Sequence, residues 1–232
     1  MTRKEYLDNL MKSYRIVRTL SKSDHGEMLM LRHRELERDL VIRSMDRSVA
    51  IYSVLKSITH PNIVEVYDVL EFTDGMIVLE EALTGMTLDE RLSTGLFSYR
   101  NASDAIAVLA DALHVIHEAG FVHRDVKPEN IFITDDNRLK LLDFDVSRVV
   151  LPTDDTIRLG TVGYAAPEQF IGASDARTDI YALGVLLNIM VTGRHPSETL
   201  PKSGKARRIV EKATSINPEK RFQTVLELKA AL

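Results

Sequence analysis

The sequence has 232 residues, 44% hydrophobic and 28% charged, which is typical of a soluble globular protein with one core or two small lobes. With 34 acidic and 30 basic residues the net charge is -4, which argues against nucleic acid as the main partner. The absence of cysteine excludes disulfides and thiolate chemistry. The charged N-terminus is unlike a signal peptide, and the longest apolar stretch, residues 181–191, is too short to span a bilayer. We therefore expect a cytoplasmic protein with no membrane partner.

Five segments near the N-terminus have the composition of β-strands, and turn residues separate them. They are residues 14–20, 27–33, 40–45, 63–72 and 75–82. Thr73, Asp74 and Gly75 predict a hairpin turn between the last two.

From about residue 86 the apolar periodicity becomes helical. Helices are predicted over residues 101–119, 179–192 and 222–232, with Gly120 ending the first. Residues 130–144 predict a β-hairpin that turns at Asp136 and Asn137. Strands followed by helices indicate an α+β fold with a β-rich N-lobe, residues 14–82, and a mainly helical C-lobe, residues 83–232.

The segment FVHRDVKPENIFI, residues 121–133, carries the most specific motif. It resembles the catalytic loop H-R-D-x-x-x-x-N of the protein kinase family, and Asp143–Phe144 stands where the family has D-F-G. Three later segments also match the family in order, namely GTVGYAAPEQF (160–170), DARTDIYALG (175–184) and NPEKRF (217–222). The resemblance implies a single two-lobed kinase-like domain over residues 1–232, with both lobes shortened.

The resemblance also implies roles for individual residues in ATP-dependent transfer of phosphate to a protein serine or threonine. Asp125 would orient the substrate hydroxyl, Lys127 would sit beside the transferred phosphate, and Asn130 and Asp143 would bind Mg²⁺. Lys127 together with Thr161 is the serine/threonine-directed pattern. Further expectations are structural: an ion pair of Glu168 with Arg221, a bracing role for Asp179, and packing or surface roles for His114, His117 and His123.

The N-lobe departs from the family pattern at the positions that hold phosphate. The phosphate-covering loop reads LSKSDHGEM, residues 20–28, with Ser21 and Ser23 replacing two glycines. Arg43 replaces the phosphate-pairing lysine, and its usual glutamate partner falls at about Ile51. We therefore expect Arg43 to lack its normal ion-pair partner. The stretch between Pro196 and Arg208, where the family usually has a substrate-docking helix, is also too short to contain it.

Two further departures concern the adenine site and the metal site. Met28, Val41 and Phe132 would crowd the base, which predicts weak nucleotide binding, although the hinge from Glu80 to Ala82 could still offer a carbonyl and an N–H. Asp145 replaces the glycine of D-F-G. It is either a structural substitution, since aspartate tolerates the left-handed region, or an added Mg²⁺ ligand.

These observations leave two main functions and a less favoured third. The first is a pseudokinase, a kinase fold with weak or no phosphoryl transfer that serves as a regulatory or binding module. The alternative is an active ATP- and Mg²⁺-dependent serine/threonine kinase with an atypical N-lobe. A small-molecule phosphotransferase is disfavoured by Lys127 and by the A-P-E segment at Ala166–Glu168. Either main function implies a protein partner or protein substrate.

Overall fold

The computed structural model describes residues 2–149, 161, 163–202 and 204–232, and its contacts divide the chain into two compact units. The first unit comprises Met1–His60 and Val64–Thr84, and the second comprises Pro61–Ile63 and Gly85–Leu232. The first is rich in strands and the second is mainly helical, which confirms the predicted α+β class.

The first unit is built on a five-stranded antiparallel sheet with strand order β1-β2-β3-β5-β4. Its strands are β1 Tyr14–Ser23, β2 Gly26–His33, β3 Asp39–Met45, β4 Val66–Phe72 and β5 Gly75–Glu81. All five predicted strands are confirmed, with small shifts at their ends. The turn before Gly75 requires glycine, because its φ is 135° and a Cβ there would collide with the backbone oxygen of Met45.

Helix α1, Arg3–Ser13, covers one face of this sheet and was not predicted. It begins with a capping box in which Thr2 and Glu5 exchange side-chain and backbone hydrogen bonds. Its apolar residues pack on a buried cluster of β2, β3 and β5. The cluster consists of Leu29, Leu31, Ile42 and Ile77. The helix contributes Tyr6, Leu7, Leu10 and Met11. The capping box and the apolar spacing are the sequence signals for this helix.

Helix α2, Ile51–Leu55, is only five residues long and contains no acidic residue. Ile51, Tyr52 and Leu55 are buried, so apolar burial rather than intrinsic helix stability holds this short segment in place.

The second unit is organised around two long helices. Its elements are β6 Gly85–Thr87, α3 Leu88–Ser93, α4 Tyr99–Glu118, β7 Phe121–Val122, β8 Ile131–Thr134, β9 Leu139–Leu141, β10 Arg148–Val149, α5 Ala176–Thr192, α6 Gly204–Ala213 and α7 Val225–Ala231. The three predicted helices and the predicted hairpin are confirmed. Gly120 follows α4 with φ 83°, as expected for the residue that ends a helix.

Helix α5 forms the centre of this unit. Most of its side chains are buried, and it packs against α4, α6 and α7. At Gly184 a Cβ would lie 2.6 Å from the Cβ of Ala213, so glycine permits the close approach of α5 and α6. Residues 193–202 form turns and bends, and helix α6 begins at Gly204, inside the stretch between Pro196 and Arg208 where the substrate-docking helix was expected to be missing. Within the described residues, none of the helices has the length and apolar character needed to cross a bilayer.

Candidate active site

The loop between β7 and β8 carries the predicted catalytic residues, and Asp179 of α5 holds its backbone. The backbone N–H groups of His123 and Arg124 donate to the two carboxylate oxygens of Asp179 at 2.9 and 2.8 Å. These bonds support the left-handed conformation of Arg124, whose φ is 72°. Asp179 is fully buried, and the predicted bracing role is confirmed.

His117 of α4 provides a third partner for Asp179. Its Nε2 lies 2.8 Å from a carboxylate oxygen of Asp179, and its side chain is only 10% exposed. Burial alone would raise the pKa of Asp179, but the hydrogen bonds and charges of His117 and the loop outweigh it, so the pKa lies below its usual value. His117 is therefore more than a packing residue; its partner lies 62 positions away, and the sequence gives no local signal for the pair.

Asp125 lies at the centre of a network of three other predicted site residues. Thr161 donates a hydrogen bond to Asp125 Oδ1 at 2.6 Å, and Lys127 Nζ lies 2.7 Å from Oδ2. Lys127 also donates to the Thr161 hydroxyl at 2.9 Å, and the Asn130 amide donates to Asp125 Oδ2 at 2.8 Å. The structure thus brings Asp125, Lys127, Asn130 and Thr161 together.

The network keeps Asp125 ionised. Burial would raise its pKa, but hydrogen bonds from Lys127 and Thr161 outweigh that effect, and the pKa lies below the usual aspartate value. An ionised carboxylate is an acceptor that can orient a hydroxyl donor. Gly160 and Val162, on either side of Thr161, lie outside the described residues.

Asp143 follows β9 and is held in the left-handed region, with φ 59°. The next residue, Phe144, is fully buried, and its ring centroid lies 4.7 Å from that of His123. His123 Nε2 also lies 3.0 Å from the Leu142 carbonyl oxygen, so His123 is the packing residue that was expected. We expected Asp145, which replaces the glycine, to adopt a left-handed backbone conformation. That expectation is wrong, because Asp143 has the positive φ and Asp145 does not.

Asn130 and Asp143 are the residues that the resemblance assigned to Mg²⁺. The Asn130 amide nitrogen donates to both the backbone and the side chain of Asp125, and these two bonds do not use its side-chain oxygen. Carboxylate and amide oxygens are ligands that Mg²⁺ accepts, with phosphate and water completing the shell. No group of three or more His, Cys, Asp or Glu side chains suited to a metal occurs in the described part of the chain.

The predicted ion pair between Glu168 and Arg221 is confirmed. Two guanidinium nitrogens donate to the two carboxylate oxygens at 2.6 and 2.8 Å, and the Arg221 side chain is fully buried. Arg221 also donates to the backbone oxygens of Ser215 and Arg177. This bidentate pair ties the segment after Thr161 to the end of the second unit.

In the first unit, Arg43 of β3 is paired with Glu80 of β5. Arg43 Nε lies 3.6 Å from Glu80 Oε1, and the two side chains are 8% and 5% exposed. The Arg43 guanidinium carbon also lies 5.8 Å from the centre of the Tyr52 ring. Helix α2 supplies no carboxylate, as expected, but a strand supplies one instead, which the motif comparison did not indicate.

The predicted hinge residues lie at the end of β5. Glu80 lies inside β5, opposite Val41 on one side and Val66 on the other, whereas Ala82 follows the end of the strand.

β1 continues to Ser23, which pairs with Gly26 across a two-residue turn. The Ser23 hydroxyl accepts from the His25 N–H at 3.3 Å and donates to the Gly26 oxygen at 3.3 Å, so this serine is used inside the turn.

Comparison with known proteins agrees with this geometry. The family model for the protein kinase domain matches residues 16–229. Serine/threonine-protein kinase PknB of Mycolicibacterium smegmatis and that of Mycobacterium tuberculosis strain H37Rv are each 30% identical over alignments covering 97% of this chain. Serine/threonine-protein kinase pkn2 of Myxococcus xanthus is 31% identical over 82% of it and 26% of its own length. The chain spans 43% of the length of the two PknB relatives. With a β-rich first unit, a helical second unit and these motifs, the chain belongs to the protein kinase family.

Proposed function

We propose that this serine/threonine kinase-like chain binds ATP and Mg²⁺ weakly, transfers phosphate slowly or not at all, and acts mainly as a regulatory module that binds another protein. The observation that carries the proposal is the buried pair of Arg43 with Glu80. The residue at the phosphate-pairing position is engaged by a carboxylate of its own sheet. Losing one preorganised charge in such a site typically costs on the order of 100-fold in rate.

Two other features support weak nucleotide binding. Ser21 and Ser23 replace glycines in the β1–β2 hairpin, and the backbone of a serine approaches phosphate less freely than that of a glycine. Val41 is buried on the same strand as Arg43, and its branched side chain adds bulk where the family has alanine.

The second unit would carry the chemistry that remains. Asp125 would accept a hydrogen bond from the substrate hydroxyl and orient it, and Lys127 would neutralise charge on the transferred phosphate. Thr161 would keep both groups in place through its hydroxyl. Asn130 and Asp143 would hold Mg²⁺, which when bound supplies positive charge to the phosphates.

The network around Asp125 favours a second candidate, an active kinase with an atypical N-lobe. Its four members are joined by hydrogen bonds and an ion pair, which supports an ordered site for the substrate hydroxyl. In this alternative Arg43 would still pair with phosphate despite Glu80.

Calorimetric titration of ATP with Mg²⁺, and again with a chelator, separates the two candidates. We expect a dissociation constant weaker than about 10 µM in both conditions, which corresponds to less than about 7 kcal/mol of binding free energy. Tighter binding in Mg²⁺ would contradict the proposal and favour the active kinase. The Asp143→Asn variant serves as the control for the metal-dependent part.

A further inference from the structure

The pair of Arg43 and Glu80 is formed within one sheet and does not involve α2. Glu80 stands directly opposite Val41, and Arg43 is two residues further along β3, so all three side chains lie on the same face. A diagonal pair of this kind is within reach of long side chains. The position of Arg43 is thus set by strand register, with the Tyr52 ring of α2 as an additional neighbour.

A phosphate would need the same guanidinium that Glu80 engages. Arginine presents its donors in a planar fork that fits a carboxylate or a phosphate, and one edge serves one anion well. Both side chains are buried, so the carboxylate has little water to return to when a phosphate arrives. A second anion beside Arg43 would also be repelled by Glu80 at short range.

We propose that Glu80 is an intramolecular competitor of the nucleotide phosphates: its carboxylate occupies Arg43 and lowers the affinity of the chain for the phosphate part of ATP. The inference rests on the proposed function, in which Arg43 is the phosphate-pairing residue. It assigns a positioning role to a side chain that the motif comparison associated only with the backbone of the hinge. It also predicts that the effect is specific for phosphate and absent for the base and ribose.

The test compares ATP with adenosine by calorimetry, both in the presence of Mg²⁺, in the whole chain. For Glu80→Gln we expect ATP to bind at least about tenfold more tightly, because the substitution removes a buried negative charge 3.6 Å from the Arg43 guanidinium. Any change in adenosine affinity should be clearly smaller than the change in ATP affinity, since adenosine has no phosphate and the hinge would contact the base through its backbone. The double variant Arg43→Met, Glu80→Gln should lose the gain. Glu71→Gln, which replaces an exposed carboxylate on β4 by an amide, controls for the change in net charge.

Three results would overturn the inference: a folded Glu80→Gln chain with unchanged ATP affinity, an equal gain for adenosine, or a gain that persists in the double variant. If Glu80→Gln does not fold, Glu80→Asp replaces it, since the shorter side chain moves the carboxylate away from Arg43. Tighter binding of ATP alone by this variant supports the inference. Unchanged ATP affinity overturns it. Tight ATP binding by the unaltered chain would instead contradict the proposed function, so the two failures are distinguishable.

Discussion

The hydroxyl of Thr161 donates a 2.6 Å hydrogen bond to Asp125, a residue 36 positions earlier in the chain. This bond links the segment after the D-F-G position to the catalytic loop within the second unit. Lys127 contacts both residues, so the carboxylate, the hydroxyl and the ammonium form a closed triangle.

Replacing Thr161 with valine should raise the pKa of Asp125, because the hydrogen bond from Thr161 helps to lower it. Thr161→Ser keeps the hydroxyl and should leave the pKa close to that of the unaltered chain. The pKa can be followed by NMR of the side-chain carboxyl carbon, which needs no enzymatic activity. Equal Asp125 pKa values in the valine and serine variants would show that the bond has no electrostatic effect.

Asp179→Asn should destabilise the chain at pH 7 by roughly 2–4 kcal/mol, because the buried network loses its negative charge and one of its two acceptor oxygens. The folded-state pKa of Asp179 is lowered, so its contribution is fully present above the unfolded value of about 4 and is lost as pH falls through the folded value. Urea unfolding at pH 7 and at pH 3 should therefore show a smaller difference between variant and parent at pH 3.

Asp104→Asn is the matched control for this prediction, because Asp104 is exposed on α4. Its stability should stay within about 0.5 kcal/mol of the parent at both pH values. If Asp179→Asn lowered the free energy of unfolding equally at both pH values, the cause would be a packing defect and not the loss of the carboxylate charge.

Arg221→Met should cost about 3–5 kcal/mol of unfolding free energy, because it leaves Glu168 without the bidentate partner seen in the structure. The double variant Arg221→Met, Glu168→Leu should recover a large part of the loss, since no charge is then left unpaired. The exposed pair Arg207–Glu211 provides the comparison, and Arg207→Ala should cost no more than about 0.5 kcal/mol. Equal losses of unfolding free energy in Arg221→Met and Arg207→Ala would show that burial does not strengthen the ion pair of Arg221.

The structure also shows which features the sequence could reveal. Asp125, Lys127 and Asn130 fall within six consecutive positions, so one local motif identifies them together. The pairs Glu168–Arg221 and Asp179 with the catalytic loop were inferred from separate motifs and are confirmed.

Other features depend on distances that no local motif encodes. The pairing of Arg43 with Glu80 follows from the register of β3 against β5, which are not consecutive in the chain. Helix α1 lies before the first family motif, and only its capping box and apolar spacing indicate it. The left-handed residue of the D-F-G position is Asp143, because the chain turns there between β9 and the buried Phe144.

Val41→Ala should tighten ATP binding roughly tenfold if crowding limits the base site, which lies within the usual range for overpacking. Ile42→Val provides the control, because Ile42 lies on the opposite face of β3 within the cluster beneath α1. Calorimetry on both variants checks this expectation. No gain in Val41→Ala would show that affinity is limited elsewhere, with Glu80 as the next residue to examine.

Asp145→Gly distinguishes a displaced glycine from an added metal ligand. We expect ATP to bind more tightly in the presence of a chelator, because the substitution removes a negative charge near the phosphates. We expect no loss of affinity in Mg²⁺, since Asn130, Asp143, phosphate and water suffice for its shell. A drop in affinity confined to the Mg²⁺ condition would instead identify Asp145 as a metal ligand.

The rate of phosphate transfer from ATP to a mixed serine and threonine peptide library, at saturating ATP and Mg²⁺, tests whether the chain is an impaired kinase. The unaltered chain is compared with Asp125→Asn, which removes the carboxylate that would orient the hydroxyl. We expect both rates to lie near the background of the assay and within about tenfold of each other, since phosphate transfer by the unaltered chain is slow or absent. A rate for the unaltered chain about 1,000-fold or more above that of Asp125→Asn would contradict it and establish an active serine/threonine kinase.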